Sequence, residues 1–204
     1  LRQDLITTEA VRDIAGMDLL IELLAEKVGS TVSFNSLRED LERDDKTIKH
    51  WIQILENLFV IFRVPPYSRK IARSLKKASK FFFYDLGRVT AGESARLENL
   101  VALALKKELD FQADTNGLSG ALYFGQNKEK KEMDFIVERD RRVHSLIEVK
   151  LSDAAVSKNF TLFAKYFPDA QKIQLVRNLE REFSSHEGVQ VQRVVNYLTT
   201  LELS

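Results

Sequence analysis

The chain has 204 residues, of which 44% are hydrophobic and 30% charged, with a net charge of +1. That balance excludes a wholly disordered chain. The absence of cysteine excludes a disulfide scaffold and any thiolate-ligated zinc or iron–sulfur centre. Three scattered histidines (His50, His144 and His186) argue against a multi-histidine metal site. No apolar run reaches the about 20 residues of a membrane span, and no signal-peptide pattern opens the chain, so a cytoplasmic protein is expected. The first residue is Leu1 rather than methionine, which predicts a fragment of a longer protein.

In chain order, Leu1–Ala15 reads as a short helix. Met17–Val28 follows with Leu19, Leu20, Leu23, Leu24 and Val28 at helical spacing, stopped by Gly29. Ser33 or Asn35 can cap a third short helix that buries Leu37 and Leu41. Asp44-Asp45 then precedes a helix over Lys46–Leu58, whose stripe is Ile48, Trp51, Ile52, Leu55 and Leu58. Phe59–Val64 and Lys80–Tyr84 are rich in aromatic and β-branched residues and read as strands. Phe81, Phe82 and Phe83 are expected in the core, because neighbours on a strand point to opposite faces. Helices, a turn, a further helix and a two-stranded wing follow the order of a winged helix–turn–helix, assigned to residues 1–90.

Charge is concentrated in this half. Arg63, Arg69, Lys70, Arg73, Lys76, Lys77, Lys80 and Arg88 face only Asp85, giving +7 over 26 residues. Such a tract is the footprint of phosphate binding, or else a solvated loop. The candidate DNA contacts are Lys46 and Lys49 on the last helix, with Arg69, Lys70, Arg73, Lys76 and Lys77 from the tract. Asp44 and Asp45 beside that helix would repel phosphate.

The pattern changes near residue 90, and residues 91–204 read as a second domain. Ser94–Leu109 is expected to be helical, Ala121–Phe124, Lys131–Glu138 and Val143–Leu151 strands, Ser157–Phe167 helical, and Lys172–Val176 and Val189–Val195 strands. This is an α/β order, α+β for the whole chain, with a mixed sheet. Alternation puts Met133, Phe135 and Val137 on one face and Asp134 on the other. Glu148 and Lys150 share a face of the next strand with His144, which could flank a site there.

A three-residue loop centred on Arg141 would set Asp134 opposite Glu148. A loop centred on Asp140 would pair Glu132 with Glu148 instead. Close carboxylates repel unless a cation lies between them, and Mg²⁺ or Mn²⁺ suits oxygen ligands. Lys150 could orient a water or neutralise charge on a phosphate. Glu98 falls on the sheet-facing side of its helix and could be a further ligand. Acid-x-Lys occurs three times, about what chance predicts for a chain this rich in both types, and only Glu148-x-Lys150 lies in an apolar strand. Ser184-Ser185-His186 lacks the setting of a catalytic serine.

Asp134…Glu148-Val149-Lys150 with Glu98 resembles the PD-(D/E)xK nuclease superfamily. The match is closer to the C-terminal region of a prokaryotic family of AAA-type ATPases, a winged helix followed by a nuclease-like domain. It is carried by Thr47-Ile48-Lys49-x-Trp51-x-x-Ile54-Leu55-Glu56, Pro65-Pro66-Tyr67-Ser68, Phe83-Tyr84-Asp85-Leu86-Gly87, Leu97-Glu98-Asn99-Leu100-Val101, Glu132-Met133-Asp134-Phe135 and Ile147-Glu148-Val149-Lys150. The resemblance implies a restriction-endonuclease-like fold with Glu98, Asp134 and Glu148 holding Mg²⁺ or Mn²⁺ and Lys150 positioning water. It implies DNA as partner and a phosphodiesterase activity, or else a non-catalytic binding or scaffold module. The family often has an arginine where this chain has Phe124-Gly125-Gln126. No Gly-x-x-x-x-Gly-Lys-[Ser/Thr] is present, so ATP would bind only in an upstream ATPase domain.

Overall fold

The computed structural model describes residues 13–68, 78–152 and 155–201. Most of the first expected helix and the basic residues Arg69, Lys70, Arg73, Lys76 and Lys77 lie outside the described residues. The first half contributes α1 (Ile14–Glu26), α2 (Phe34–Leu41) and α3 (Asp45–Asn57). Their starts follow from side-chain capping. Asp13 accepts from the Gly16 amide, Ser33 from that of Ser36, and Asp44 from those of Lys46 and Thr47. Each helix turns its apolar stripe inward, with Leu20, Leu24, Leu37, Ile48, Ile52 and Leu55 fully enclosed.

A hairpin of β1 (Ile61–Val64) and β2 (Lys80–Phe83) follows, antiparallel in the register Ile61↔Phe83 and Val64↔Lys80. All three phenylalanines of β2 are buried, as alternation between two packed faces requires. Phe82 packs on Phe62 within the hairpin and on Phe135 of the second half, with ring centroids 5.7 and 5.8 Å apart.

A short 3₁₀ turn at Leu86–Arg88 leads into α4 (Glu93–Asn116). This helix runs seven residues past the expected end and stops at Gly117, whose φ of 67° forms a left-handed cap. Then come β3 (Gly120–Gln126), β4 (Glu132–Arg139), β5 (Arg142–Lys150), α5 (Asn159–Ala164), β6 (Gln171–Val176), β7 (Phe183–Ser184), β8 (Val189–Arg193) and α6 (Val194–Leu201). They form a six-stranded mixed sheet in the order β3-β4-β5-β6-β8-β7. The first three strands are antiparallel, while β5, β6 and β8 run parallel and β7 is an antiparallel edge. The expected strand over 189–195 ends at Arg193 because Val194 begins a helix that returns across α4.

The halves share one continuous apolar core. Leu97, Val101, Leu105 and Leu109 of α4 fill the space between α1, β2 and the sheet residues Phe135, Val137, Ile147 and Val149. A second cluster covers the other sheet face, where α5 supplies Phe160 and Phe163 over Met133, Ile136 and Leu146. Met133 therefore faces away from Phe135 and Val137, contrary to simple alternation. The β3–β4 register slips between Tyr123 and Gly125, and the extra residue on β4 rotates Met133 to the opposite layer.

Two backbone joints reinforce this packing. The segment after β1 pairs with β3, where the Tyr67 amide donates to the Phe124 carbonyl at 2.8 Å and the Phe124 amide donates to Pro65. This covers an otherwise open sheet edge. At the other joint the fully buried Asn99 donates its amide to the Phe83 carbonyl and accepts from the Phe83 N–H, both at 2.8 Å. Among the described residues no helix is long and apolar enough to cross a membrane.

Replacing Asn99 with alanine strands both Phe83 groups in the core. A buried group left without a partner costs roughly 1–3 kcal/mol. Urea denaturation of Asn99→Ala should show a loss within about twice that range, and a loss under about 1 kcal/mol would show that the joint carries no load.

A candidate acid–lysine site where the two halves meet

Five elements converge at one end of the sheet. Helix α4 brings Glu98, β4 brings Glu132 and Asp134, β5 brings Glu148 and Lys150, β2 brings Lys80, and the start of α5 brings Asn159. The β4–β5 register pairs Phe135 with Ile147, and its continuation sets Asp134 abreast of Glu148. As far as Phe135↔Ile147 the register is that of the first of the two alternatives, but the turn differs. Arg139 pairs with Arg142 across a two-residue turn, with Asp140 and Arg141 at φ of 49° and 63°. Such a turn alone would offset the carboxylates by one position. A bulge corrects this, because Glu138 pairs with Val143 and Val137 with Ser145, leaving His144 unpaired.

Each acid has its own restraint. Asp134 accepts from the Val149 amide at 2.8 Å, so its carboxylate takes the place of a strand carbonyl. Glu148 is 1% exposed; it accepts from Asn159 Nδ2 at 3.0 Å and lies 3.5 Å from the Lys150 ammonium. Glu98 and Glu132 lie 3.0 and 3.4 Å from the ammonium of Lys80, which is itself only 1% exposed. The Phe124 ring lies 5.6 Å from the same ammonium. Gln126 donates to the other Glu132 oxygen at 2.9 Å. Gly29, at φ 80°, completes the enclosure, since a Cβ there would come within 2.8 Å of Glu98 Oε2.

Burial dominates the proton affinities. It raises Glu98 to about 7, with Lys80 opposing and Asp134 reinforcing the shift. It likewise raises Glu148 to about 7, assisted by Asp134 and opposed by Asn159 and Lys150. Asp134 is also raised by burial, against the pull of Lys80 and the Val149 amide. Burial acts to lower Lys80, but Glu98, Asp134 and Glu132 outweigh it and hold the ammonium above its ordinary range. The lysine is therefore charged, while burial lets Glu98 and Glu148 hold their protons to about pH 7.

Of the expected site residues, Asp134 lies between Glu98 on one side and Glu148 with Lys150 on the other. Among the described residues no group of three histidine, aspartate or glutamate side chains is gathered to hold a metal ion. Lys150 is half-exposed, so its ammonium reaches solvent. Lys46 and Lys49 are exposed on α3, the latter paired with Asp45 at 2.6 Å. The basic tract does not act as one surface. Lys80 is buried in the acid site, and Arg63 pairs with Glu56 at 3.1 Å. The exposed His144 lines a cleft with Arg139, Arg142 and Phe167, away from Glu148. Ser185 caps the turn before β8 by accepting from the Val189 amide.

Sequence reasoning missed Lys80, Asn99 and Asn159. A lysine opening a run of three phenylalanines was the available signal for Lys80. For Asn159 no local signal existed, since its partner lies across the β5–α5 connection.

The geometry defines a mixed-sheet α+β protein with a half-enclosed cluster of carboxylates and lysines at the sheet end. Residues 93–197 match the family described as "Domain of unknown function (DUF4143)", and the chain belongs to that family. Residues 1–97 match a "Domain of unknown function (DUF8612)". An uncharacterized protein of Haemophilus influenzae is 24% identical over 208 residues, covering 96% of this chain and 48% of that relative. The chain thus spans about half the length of the curated relative it matches. No solved structure matches.

An acid with a raised folded pKa binds its proton more tightly when folded. Its contribution favours folding below its unfolded pKa near 4.3 and is lost as pH climbs through about 7. His144, depressed by burial and Arg139, acts in the opposite sense near its ordinary value. In metal-free buffer the melting temperature should fall between pH 5.5 and 8, and the fall should be smaller in Glu148→Gln. Equal slopes in the two proteins would show that Glu148 is ionised throughout.

Proposed function

We propose that this chain is the DNA-acting module of a larger AAA-type ATPase. In this reading a winged helix–turn–helix over residues 1–90 delivers DNA to a PD-(D/E)xK-like domain over 91–204, a metal-dependent phosphodiesterase of the cytoplasm. The observation that carries the reading is half-buried Asp134 beside buried Glu148, one position beyond the Phe135↔Ile147 pair, with half-exposed Lys150 two residues on. The order helix, three antiparallel strands, helix and parallel strand supports it. The order of three helices and a hairpin supports the first half. ATP would be bound outside this chain, which has no phosphate-binding loop.

The donor set suits Mg²⁺ or Mn²⁺. Two carboxylates with raised proton affinity offer hard oxygen ligands while leaving positions for water. Asp134 and Glu148 would hold the ion, with Glu98 reaching it directly or through water. Bound there, the ion would polarise a phosphate and its attacking water. Asn159 and the Val149 amide fix the two carboxylates, so little reorganisation is needed. Lys150, half-exposed and 3.5 Å from Glu148, would orient water or offset charge on the phosphate.

One observation favours a non-catalytic binding module instead. Lys80 already neutralises Glu98 and Glu132, so part of the cluster is satisfied without metal.

Plasmid nicking with Mn²⁺ tests the first reading. Removing one electrostatic group from such a site commonly costs ~10²–10³ in rate. Lys150→Ala should lose at least about that factor with its fold intact, and Asp134→Ala should be silent. Silence of the full-length parent, with ATP and varied DNA structures, would establish the binding-module reading. For DNA contact, Lys76→Ala with Lys77→Ala should lower the log–log salt slope of duplex binding by up to about 2, near ~0.9 per phosphate. No binding by the wild type at low salt would remove DNA as the partner.

A further inference from the structure

Lys80 belongs to the hairpin of the first half, yet its ammonium lies among the acids of the second. It sits 3.0 Å from Glu98 and 3.4 Å from Glu132, above the Phe124 ring and closed off from solvent. An ammonium enclosed without carboxylate partners would be strongly disfavoured, and the half-buried carboxylates of Glu98 and Glu132 gain a counter-charge for the water they lose. The lysine therefore requires the acids, and the acids are eased by the lysine. Its shape is that of two oxygen donors from different elements closing on one cation, where the cation is supplied by the chain.

We infer that the Lys80 ammonium fills a cation position between Glu98 and Glu132 and thereby excludes a divalent ion from it. The charge balance of the pocket points the same way. Glu98, Glu132, Asp134 and Glu148 face the ammoniums of Lys80 and Lys150. The remaining deficit, with all groups ionised, equals the charge of a single divalent ion. With Lys80 in place the pocket takes one ion, at Asp134 and Glu148. Without it a second ion can enter at Glu98 and Glu132. The first ion's place rests on the reading proposed above, whereas the exclusion by Lys80 stands apart from it.

Counting bound Mn²⁺ tests this, by titration calorimetry and by electron paramagnetic resonance of the free ion. The expected stoichiometry is one in the wild type, two in Lys80→Met, and one again in Lys80→Met combined with Glu98→Gln. Lys80→Arg, which keeps a cation at the position, should stay at one. No ion in the wild type but one in Lys80→Met would overturn the metal reading of Asp134 and Glu148 while upholding the role of Lys80. Equal stoichiometry in wild type and Lys80→Met, or two ions in the wild type, would overturn the inference. If Lys80→Met unfolds without metal, Mn²⁺ should restore its circular dichroism, because the ion replaces the lost ammonium. Failure of Mn²⁺ to do so would equally overturn it.

Discussion

Everything at the site end of the molecule depends on one buried cation. Lys80 can lose its water only because Glu98 and Glu132 meet it from α4 and β4. Those acids are half-buried around the lysine that arrives from β2, which supplies their counter-charge. The pairing fixes how the first half sits on the second, since β2, α4 and β4 must converge within hydrogen-bonding distance. The fit extends to Gly29 at the end of α1, where a side chain would collide with Glu98. Asn99 and the strand-like contact at Phe124 supply direction, but neither is charged. The ion pair is the costly element, and the apolar joint around Phe82 and Phe135 excludes the water that would weaken it.

This reassigns part of the chain's charge. A tract of eight basic residues is a single feature in sequence and at least two features in space. Arg63 and Lys80 satisfy acids inside the protein. Neither is then available to neutralise a phosphate, and under the proposed function each would subtract from the electrostatic pull on DNA. A charge count along the chain cannot separate the two roles. The discriminating clue is the neighbourhood, because Lys80 opens three consecutive phenylalanines whereas Lys76 and Lys77 do not.

The helices and most strands were legible because their periodicity is strong. The α3 stripe of Ile48, Trp51, Ile52 and Leu55 is buried as its spacing implies, and alternation placed Glu148 opposite to Ile147 and Val149. What alternation could not supply was the pairing across strands. Asp134 lies abreast of Glu148 only because a tight turn and the His144 bulge offset each other. Neither has a glycine to announce it, and the bulge near Met133 reverses a side chain that looked secure. Asn99 and Asn159 were invisible for another reason. Their partners are a backbone group sixteen positions away and a carboxylate eleven positions away, brought near by tertiary packing alone.

The two lysines of the cluster show why a short motif carries limited chemical meaning. Lys80 and Lys150 both begin or end an apolar strand, and both lie beside glutamate. Their exposure separates them: 1% for the Lys80 side chain against 37% for that of Lys150. A fully enclosed ammonium has its donors committed to the protein and cannot follow a reacting group. A half-exposed one is loosely held at 3.5 Å and can turn toward a phosphate without leaving a buried charge behind. Under the proposed function the chemistry would therefore fall to Lys150, while the fixed charge beside it belongs to Lys80. A motif names the residue types, but burial assigns the work.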